Sequence, residues 1–515
     1  MIPSAHNAID VAALVRRAGK AYSRKTAIVW EDGSRTYGDL LARIDALAGQ
    51  MREMGVREGE RVGLALANGP VFVEGYLAAA QLGAIAVPLN PRQSEREHDH
   101  ILGDSEPRVL IADAAAARTL RRAKRLTASR LLTDGVEMPN GTDYEATVQQ
   151  GFGTRPPRPA IDLNAPVAIL YTSGTTGQPK GVVRSQFAGA MIVALRQSAM
   201  FIGPETVLLA STPMFHAAGH EFMLLQTLAA GGTVISRRSF DASAIVADVD
   251  AHRATHVFFV PTMSAAIAAA MTQAGTAWPS VRLWMSAASP LPDWVRDAVI
   301  AAAPSARLWN CYGLTEGGTL TYMRDDEIGK HPGTCVGLPG PGMEVRVVDT
   351  EGDDAPLGEV GEIVCRSPES MSGYWHDSAL TAQAVRNGWV HSGDLGFLDA
   401  DGFLTLSGRL KDVIITGGEN VYAAEVEGFL LEDRAVRDAA VIGVPHPHWG
   451  EAVVAVVVPS EPGADLSATL DTHAKDGLAP AKRPKRYVMS AALPRNSMGK
   501  IVKDDLRSEL AGLFD

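Results

Sequence analysis

The densest group of anion-handling residues in this chain is Tyr171-Thr-Ser-Gly-Thr-Thr-Gly-Gln-Pro-Lys180-Gly181. Glycines such as Gly174 and Gly177 let a backbone turn tightly and aim several N–H groups at one point, which makes a nest for an anion. The hydroxyls of Thr172, Ser173, Thr175 and Thr176 add donors, and Lys180 adds a full positive charge. Together they suit a polyphosphate. The tract is not the G-x-x-x-x-G-K-[ST] loop, because Lys180 follows Pro179 and precedes Gly181, which removes both the Gly-Lys pair and the hydroxyl after it.

Other residues able to do chemistry stand singly, each with an ordinary alternative. Glu316, in Tyr312-Gly-Leu-Thr315-Glu316, follows an expected strand end. A carboxylate there holds magnesium shared with phosphates, or simply caps a helix start. Asp394, in Ser-Gly-Asp-Leu-Gly, accepts hydrogen bonds from the two hydroxyls of a ribose, or closes an Asx turn. His216, in Pro-Met-Phe-His-Ala-Ala-Gly, is either a core or capping histidine or a group beside a substrate. Lys482, Arg483, Lys485 and Arg486 form a basic run, a solvated face or a polyanion contact. Lys500, in Pro494-Arg-Asn-Ser-Met-Gly-Lys500, taken alone is a surface lysine on a glycine turn.

Composition narrows the class of molecule that must hold these residues in place. With 515 residues, 46% of them hydrophobic, the chain can bury large cores and should form more than one domain. A net charge of -11 argues against a protein built to coat nucleic acid. Cys311, Cys335 and Cys365 are an odd set without metal-ligand spacing, as suits a reducing compartment. The first twenty residues show no secretory pattern, and the longest apolar run, Val257 to Ala270, is interrupted by Pro261 and too short to span a bilayer. A soluble, cytoplasmic protein is expected.

Apolar runs at Val62–Leu66, Ala84–Val87 and Val109–Ile111 alternate with helical patterns such as Val71 to Leu82, which predicts a mostly parallel, helix-flanked sheet. The basic segment Thr119 to Arg130 reads as a solvated helix face. A second α/β lobe is expected from about Ala165 to Asp325, with strands at Val207–Leu209, Thr233–Ile235, His256–Val260, Leu283–Met285 and Arg307–Trp309. Ligands of open α/β sheets bind beyond the carboxyl ends of the strands, which singles out Pro213–His216, Ser286–Pro290 and Asn310–Glu316. From about Gly337 the pattern turns to β runs with glycine turns, including a hairpin through Asp401-Gly402, and a boundary at Lys411 precedes about a hundred residues with strands and helices of their own.

Five of these motifs, taken along the chain, resemble in type and order those of the acyl-adenylate-forming (AMP-binding) superfamily, in particular its acyl- and aryl-CoA synthetase branch, and the likeness covers nearly the whole chain. The resemblance implies an α/β fold with a large N-terminal domain, residues 1–410, of two helix-flanked sheets plus a small β-barrel-like subdomain. It also implies a small mobile α+β domain, residues 411–515, that turns about Lys411. The implied activity is ATP-dependent ligation of a fatty or aromatic carboxylic acid to coenzyme A through an acyl-adenylate. Loading of an acyl carrier protein and nucleotide sensing without catalysis are the alternatives. By resemblance, Thr172 to Gly177 and Lys180 hold the phosphates, Glu316 and Thr175 hold Mg2+, and Thr315 meets the α-phosphate side. Ala287, Ala288, Ser289, Asn310, Cys311, Tyr312 and Gly313 form the adenine wall, and Asp394 and Arg409 reach the ribose. Phe215, His216, Ala287, Gly317 and Gly318 line the acyl tunnel, where the lack of an Asp near Phe215 argues against an amino acid substrate. Gly417 and Gly418 border pantetheine, Arg483 meets the CoA phosphates, and Lys500 bridges carboxylate and α-phosphate. Gln186 replaces a frequent His, and Ala481 stands where some aryl ligases carry an aromatic that stacks on CoA adenine. Partners would be the acid, ATP and CoA, with no nucleic acid and no transmembrane segment, and a homodimer is allowed for.

Overall fold

The computed structural model describes residues 9–128, 130–173, 178–495 and 501–514. By compactness the chain divides into two units. One comprises Met1–Ile328, Pro339–Glu344 and Cys365–Val390, and the other Gly329–Leu338, Val345–Val364 and His391–Asp515. The architecture is α/β, as expected.

The first unit contains two helix-flanked sheets. In one, Arg61–Ala65 pairs in parallel with Ile85–Leu89 on one side and Val109–Asp113 on the other, and Arg130–Asp134 and Gly141–Asp143 continue it. Ile85–Leu89 is followed outward by Pro166–Ser173, which turns back antiparallel into Pro179–Ser185, and the short strand Gly373–Tyr374 closes that edge. Continuous apolar runs form the central strands because both sheet faces are covered. The helix Pro70–Gln81 covers one with Phe72, Tyr76 and Leu77, its start fixed by proline at the first turn.

The other sheet runs in the order Gly318–Met323, Arg307–Leu314, Leu283–Ala287, His256–Phe259, Val207–Ala210, Thr233–Ser236, Thr26–Trp30 and Gly33–Thr36. Its interior pairs are parallel, and the antiparallel pairs lie at the ends. Val207–Ala210 lies between Thr233–Ser236 and His256–Phe259, so the winding reverses there. Crevices for ligands open at such reversals, beyond the carboxyl ends.

Three expectations need correcting. The strand leading into the phosphate tract belongs to the first sheet, where Ala168 pairs with Ala86, and does not open the second lobe at Ala165. The second sheet also recruits Thr26–Trp30 and Gly33–Thr36, too short and too mixed in pattern to read as strands. The basic segment from Thr119 is no single helix. The helix Ala114–Leu120 ends there, a 3-10 turn covers Lys124–Ala128, and a strand begins at Arg130.

In the second unit, Cys335–Pro339 pairs antiparallel with Leu404–Arg409, which pairs antiparallel with Trp389–Leu398. Further on, Val436–His446 and Gly450–Pro459 form a long antiparallel pair flanked by Val413–Thr416 and Arg486–Met489. Alternate residues of these two strands feed separate cores. Val441, Val453, Ala455 and Val457 pack with helices Ala423–Leu431 and Ser467–Gly477, whereas Ile442, Val444, Val454 and Val456 pack with Leu506 of Lys503–Glu509. The boundary residue Lys411 lies in the 3-10 turn Leu410–Asp412, inside this unit. Among the described residues no helix is long and apolar enough to cross a membrane.

Three histidines, His98, His220 and His256, are held below their ordinary pKa chiefly by burial, His256 down to about 4 from 6.5. His256 sits between the Thr255 hydroxyl and the Met200 carbonyl. As pH falls through 6.5 the unfolded chain takes up a proton that folded His256 refuses until about pH 4, so stability is full above 6.5 and is lost between these values. Unfolding at pH 7.5 and 5.0 should show wild type losing about 2 kcal/mol more than His256→Gln. Equal losses would contradict this.

Candidate active site

The described parts of the phosphate tract, Gln178 aside, lie on two strands, Pro166–Ser173 and Pro179–Ser185, that pair antiparallel. Thr172 pairs with Lys180 and Ser173 with Pro179. Gly174, Thr175, Thr176 and Gly177 lie outside the described residues. This strand pair is clamped from several sides. The His100 ring bonds the Pro179 carbonyl at 2.9 Å, and Trp375 donates its backbone N–H to Gly181 at 2.7 Å. The Tyr171 hydroxyl donates to Asp104 at 2.5 Å, and burial together with that carboxylate raises its pKa. Glycine at 181 is required because a Cβ would come within 2.7 Å of Ile169. The Lys180 ammonium lies 5.9 Å from the centre of the Tyr374 ring.

Thr315 and Glu316 lie in a β-hairpin turn and not at a helix start. Arg307–Leu314 continues past Asn310, Cys311, Tyr312 and Gly313, and the chain returns antiparallel as Gly318–Met323. Three successive carbonyls of this turn each have a donor: Thr315 from Arg184 at 2.8 Å, Glu316 from the Met371 N–H at 2.8 Å and Gly317 from the Ser367 hydroxyl at 2.9 Å. The Glu316 carboxylate accepts from the Tyr374 hydroxyl at 3.0 Å. Burial and that carboxylate both raise the Tyr374 pKa, so the phenol keeps its proton and donates. The same two causes push the Cys365 thiol up to about 12.

No group of three His, Cys, Asp or Glu side chains able to cage a metal occurs among the described residues. A single oriented carboxylate, Glu316, fits magnesium, which keeps several waters and takes its remaining ligands from phosphates. Glycine at 317 and 318 follows from packing of the turn itself. A Cβ on Gly317 would lie 2.6 Å from the Cys365 sulfur, and one on Gly318, at φ +91°, 2.5 Å from the Glu369 carboxylate. The protein therefore fills that space.

At the winding reversal, Asn68 anchors the segment before Phe215. It donates to the Thr212 carbonyl at 3.1 Å and accepts from the Met214 N–H at 2.7 Å. His216 is the N-cap of the short helix Ala217–His220, its Nδ1 accepting from the Ala218 N–H. Phe215 and Ala287 are both half-buried against the main core. Ser286 pairs with Asn310 and Ala287 with Cys311 across adjacent strands, which aligns the expected adenine wall at one sheet end. Ala288 has φ +75°, a left-handed conformation that a residue with a Cβ rarely adopts. Ala288 and Ser289 are exposed there. Asn310 Oδ1 is buried with no protein hydrogen-bond partner, an acceptor that suits the amino group of an adenine. Cys311 is buried, its thiol pushed up to about 12 by desolvation, and it serves as packing.

Within the second unit, Asp394 and Arg409 are opposite each other on paired strands and form an ion pair at 2.9 Å. Lys411 lies 3.6 Å from Asp504, and its neighbour Asp412 pairs with Arg507 at 2.6 Å. Gly417 and Gly418, φ +59° and +87°, make the two-residue turn of the hairpin Val413–Thr416 to Glu419–Tyr422, which requires positive φ at both positions. Arg483 donates to the Leu478 and Lys475 carbonyls at the end of the helix Ser467–Gly477, and Lys482 pairs with Glu425. The basic run is thus partly tied down within the protein. Lys500 lies outside the described residues.

Arg184, Arg196, Glu221, Glu369, Tyr374 and Asn68 were not singled out from sequence. Arg184, Arg196 and Glu221 carried a signal, since charged residues beside apolar runs need partners when buried.

Residues 15–375 match the family described as AMP-binding enzyme, and residues 425–500 match the AMP-binding enzyme C-terminal domain. A feruloyl-CoA synthase of an Amycolatopsis species is 36% identical over 499 residues, covering 96% of this chain and 97% of its own. An indoleacetate–CoA ligase of Aromatoleum aromaticum is 32% identical over 491 residues, covering 95% of each. Among solved structures, an anthranilate CoA ligase in complex with anthranoyl-AMP superposes with a TM-score of 0.90 at 25% identity, covering 98% of both chains.

The crowding at Gly318 is directly testable. Gly318→Ala forces a Cβ against Glu369 at an unfavourable φ and should cost about 1–3 kcal/mol in urea unfolding. Gly329→Ala, which meets nothing within 4 Å, should change stability by less than about 0.5 kcal/mol. Equal effects would show that the turn is loosely packed.

Proposed function

The chain belongs to the AMP-binding enzyme family, and we propose that within it the chain is an ATP-dependent acid–CoA ligase acting on an aromatic carboxylic acid. The observation that carries this reading is the pairing, inside one unit, of the strand bearing Lys180 with the Thr315–Glu316 turn through Tyr374. Aromatic acids are put before aliphatic ones because the feruloyl-CoA synthase and the indoleacetate–CoA ligase match at 36% and 32% identity, against 31% for a long-chain-fatty-acid–CoA ligase of Mycobacterium tuberculosis that aligns over 93% of this chain.

In the first step a carboxylate oxygen attacks the α-phosphorus of ATP and the bond to the bridging oxygen breaks, releasing pyrophosphate. In the second the CoA thiolate attacks the acyl carbonyl, the acyl–oxygen bond breaks and AMP leaves. Activation is needed because a carboxylate resists nucleophiles, whereas its mixed anhydride with AMP does not. The first step brings two anions together, and a preorganised cation offsets charge where it develops. Lys500 supplies that cation, with Lys180 and the tract Thr172–Gly177 holding the departing phosphates. Glu316 and Thr175 would hold magnesium, which when bound neutralises phosphate charge. Thr315 meets the α-phosphate and His216 orients the carboxylate. Ala287 to Ser289 and Asn310 to Gly313 flank adenine, while Asp394, beside Arg409, accepts from the ribose hydroxyls.

For the second step residues 411–515 turn about Lys411, replacing Lys500 with the Gly417-Gly418 turn beside pantetheine, a domain-closure type of switch. The basic run containing Arg483 favours the phosphates of CoA. A carrier-protein thiol is the alternative acceptor, and the two compete in one assay.

Purified protein with ATP, magnesium, CoA and a panel of acids should yield thioester and AMP with hydroxycinnamic, indoleacetic or benzoic acids. Hexanoic acid should react at least about tenfold less efficiently, since a lost contact of about 1.4 kcal/mol suffices for that. Turnover of aliphatic acids alone would overturn the aromatic assignment, and ATP binding with no turnover of any acid would favour a sensor. Lys500→Ala should lose adenylation by about 10²–10³-fold or more yet convert supplied acyl-adenylate and CoA to thioester at near wild-type rate. Equal losses in both half-reactions would show that Lys500 does not act in the first step alone.

A further inference from the structure

The first unit buries four charges that none of the motifs above accounts for. Arg184 forms a two-pronged pair with Glu221, both bonds at 3.0 Å, and Arg196 pairs with Glu369. The side chains of Arg184, Glu221, Arg196 and Glu369 are 1%, 3%, 5% and 1% exposed. Arg196 also donates to the Glu221 carbonyl, and Arg184 to the Glu369 carbonyl, so the four form one network. Burial, the largest single influence, raises the Glu221 carboxyl, but the Arg184 charge, the Arg184 hydrogen bonds and the other nearby positive charges together outweigh it and hold Glu221 below its ordinary pKa.

Such a network is a poor source of stability, because apolar residues of similar volume serve a core at least as well. What an arginine fork adds is direction, since its donors lie in one plane at fixed angles. The Arg184 donors not spent on Glu221 go to the Thr315 and Glu369 carbonyls. Arg184 stands on Pro179–Ser185, four residues beyond Lys180 and, at period two, on the same face of that strand. The far end of the network reaches the same turn, where Glu369 accepts from the Thr319 N–H at 3.2 Å. Tyr374 completes the frame. It pairs with Val182 of that strand and donates to Glu316.

We infer that Arg184, locked by Glu221, is a positioning residue that fixes the Thr315–Glu316 turn against the strand carrying Lys180. It thereby sets where the Glu316 carboxylate stands relative to the triphosphate. The inference rests on the proposed ATP-dependent reading and adds a residue that the reading does not need.

Two variants test it. Arg184→Lys keeps the charge opposite Glu221 but cannot reproduce the fork. The double variant Arg184→Met/Glu221→Leu removes the pair together and leaves no lone buried charge. The readout is calorimetric ATP affinity with and without magnesium, alongside melting temperature. Wild type should bind ATP more tightly with magnesium, and no such gain in wild type would sink the underlying reading itself. Each folded variant should lose about 10-fold or more of that magnesium-dependent gain, as supporting contacts to metal ligands do, while metal-free ATP affinity and KM for the acid stay within about 3-fold. A folded Arg184→Lys protein with the full wild-type gain overturns the inference, whatever the double variant does. So does a loss of metal-free and metal-dependent affinity in equal proportion, which marks a merely structural role.

Discussion

The buried pairing of Arg184 with Glu221 is the constraint on which the arrangement of the first unit turns. Two sheets meet in that unit, and each contributes one half of the proposed nucleotide-phosphate site: the strand bearing Lys180 from one, the Thr315–Glu316 turn from the other. Apolar packing brings such sheets together but tolerates sliding, since it is non-directional. Hydrogen-bonded charge is directional. With Arg184 on the first sheet and its acceptor carbonyl at Thr315 on the second, relative sliding would break a charge-assisted bond in a dry interior. Arg196 and Glu369 extend the same logic from helix Gln186–Ala199 to Thr319.

The chemistry proposed for the site explains why position matters more than stability here. Phosphoryl carriers are held by many weak contacts, and catalysis draws on charges preorganised where charge develops. A turn with three carbonyls gripped in succession cannot drift, and its glycines are crowded by Cys365 and Glu369. The acceptor left unpaired on Asn310 and the left-handed backbone at Ala288 lie at the neighbouring strand ends. Both are local costs of the kind found where a ligand completes the structure.

Much of this was legible in the sequence. Strands such as Val109–Asp113 and His256–Phe259 are apolar and bounded, so their pattern fixes them within a residue or two. The motif residues were found because glycine, hydroxyl and lysine in close order have few other uses. What stayed hidden depends on contacts distant in the chain. Nothing local says that Pro166–Ser173 joins the first sheet, because one antiparallel pairing with Pro179–Ser185 and one parallel contact at Ala86 decide it. Nor does the local pattern around Arg184 reveal Glu221, 37 residues away, or Thr315, 131 residues away. For Glu316 the sequence left a magnesium ligand and a helix cap open, and the antiparallel return through Gly318–Met323 that makes it a hairpin turn depends on pairing the local pattern does not show.

In the proposed reaction this chain activates a carboxylic acid as its adenylate before any thiol takes part. The most direct measurement is acid-dependent exchange of labelled pyrophosphate into ATP with CoA absent. An adenylate-forming enzyme must show exchange that requires a carboxylic acid and magnesium and proceeds without CoA, with AMP and never ADP as the nucleotide released once CoA is added. Exchange that appears only when CoA is added, or accumulation of ADP, would contradict the account.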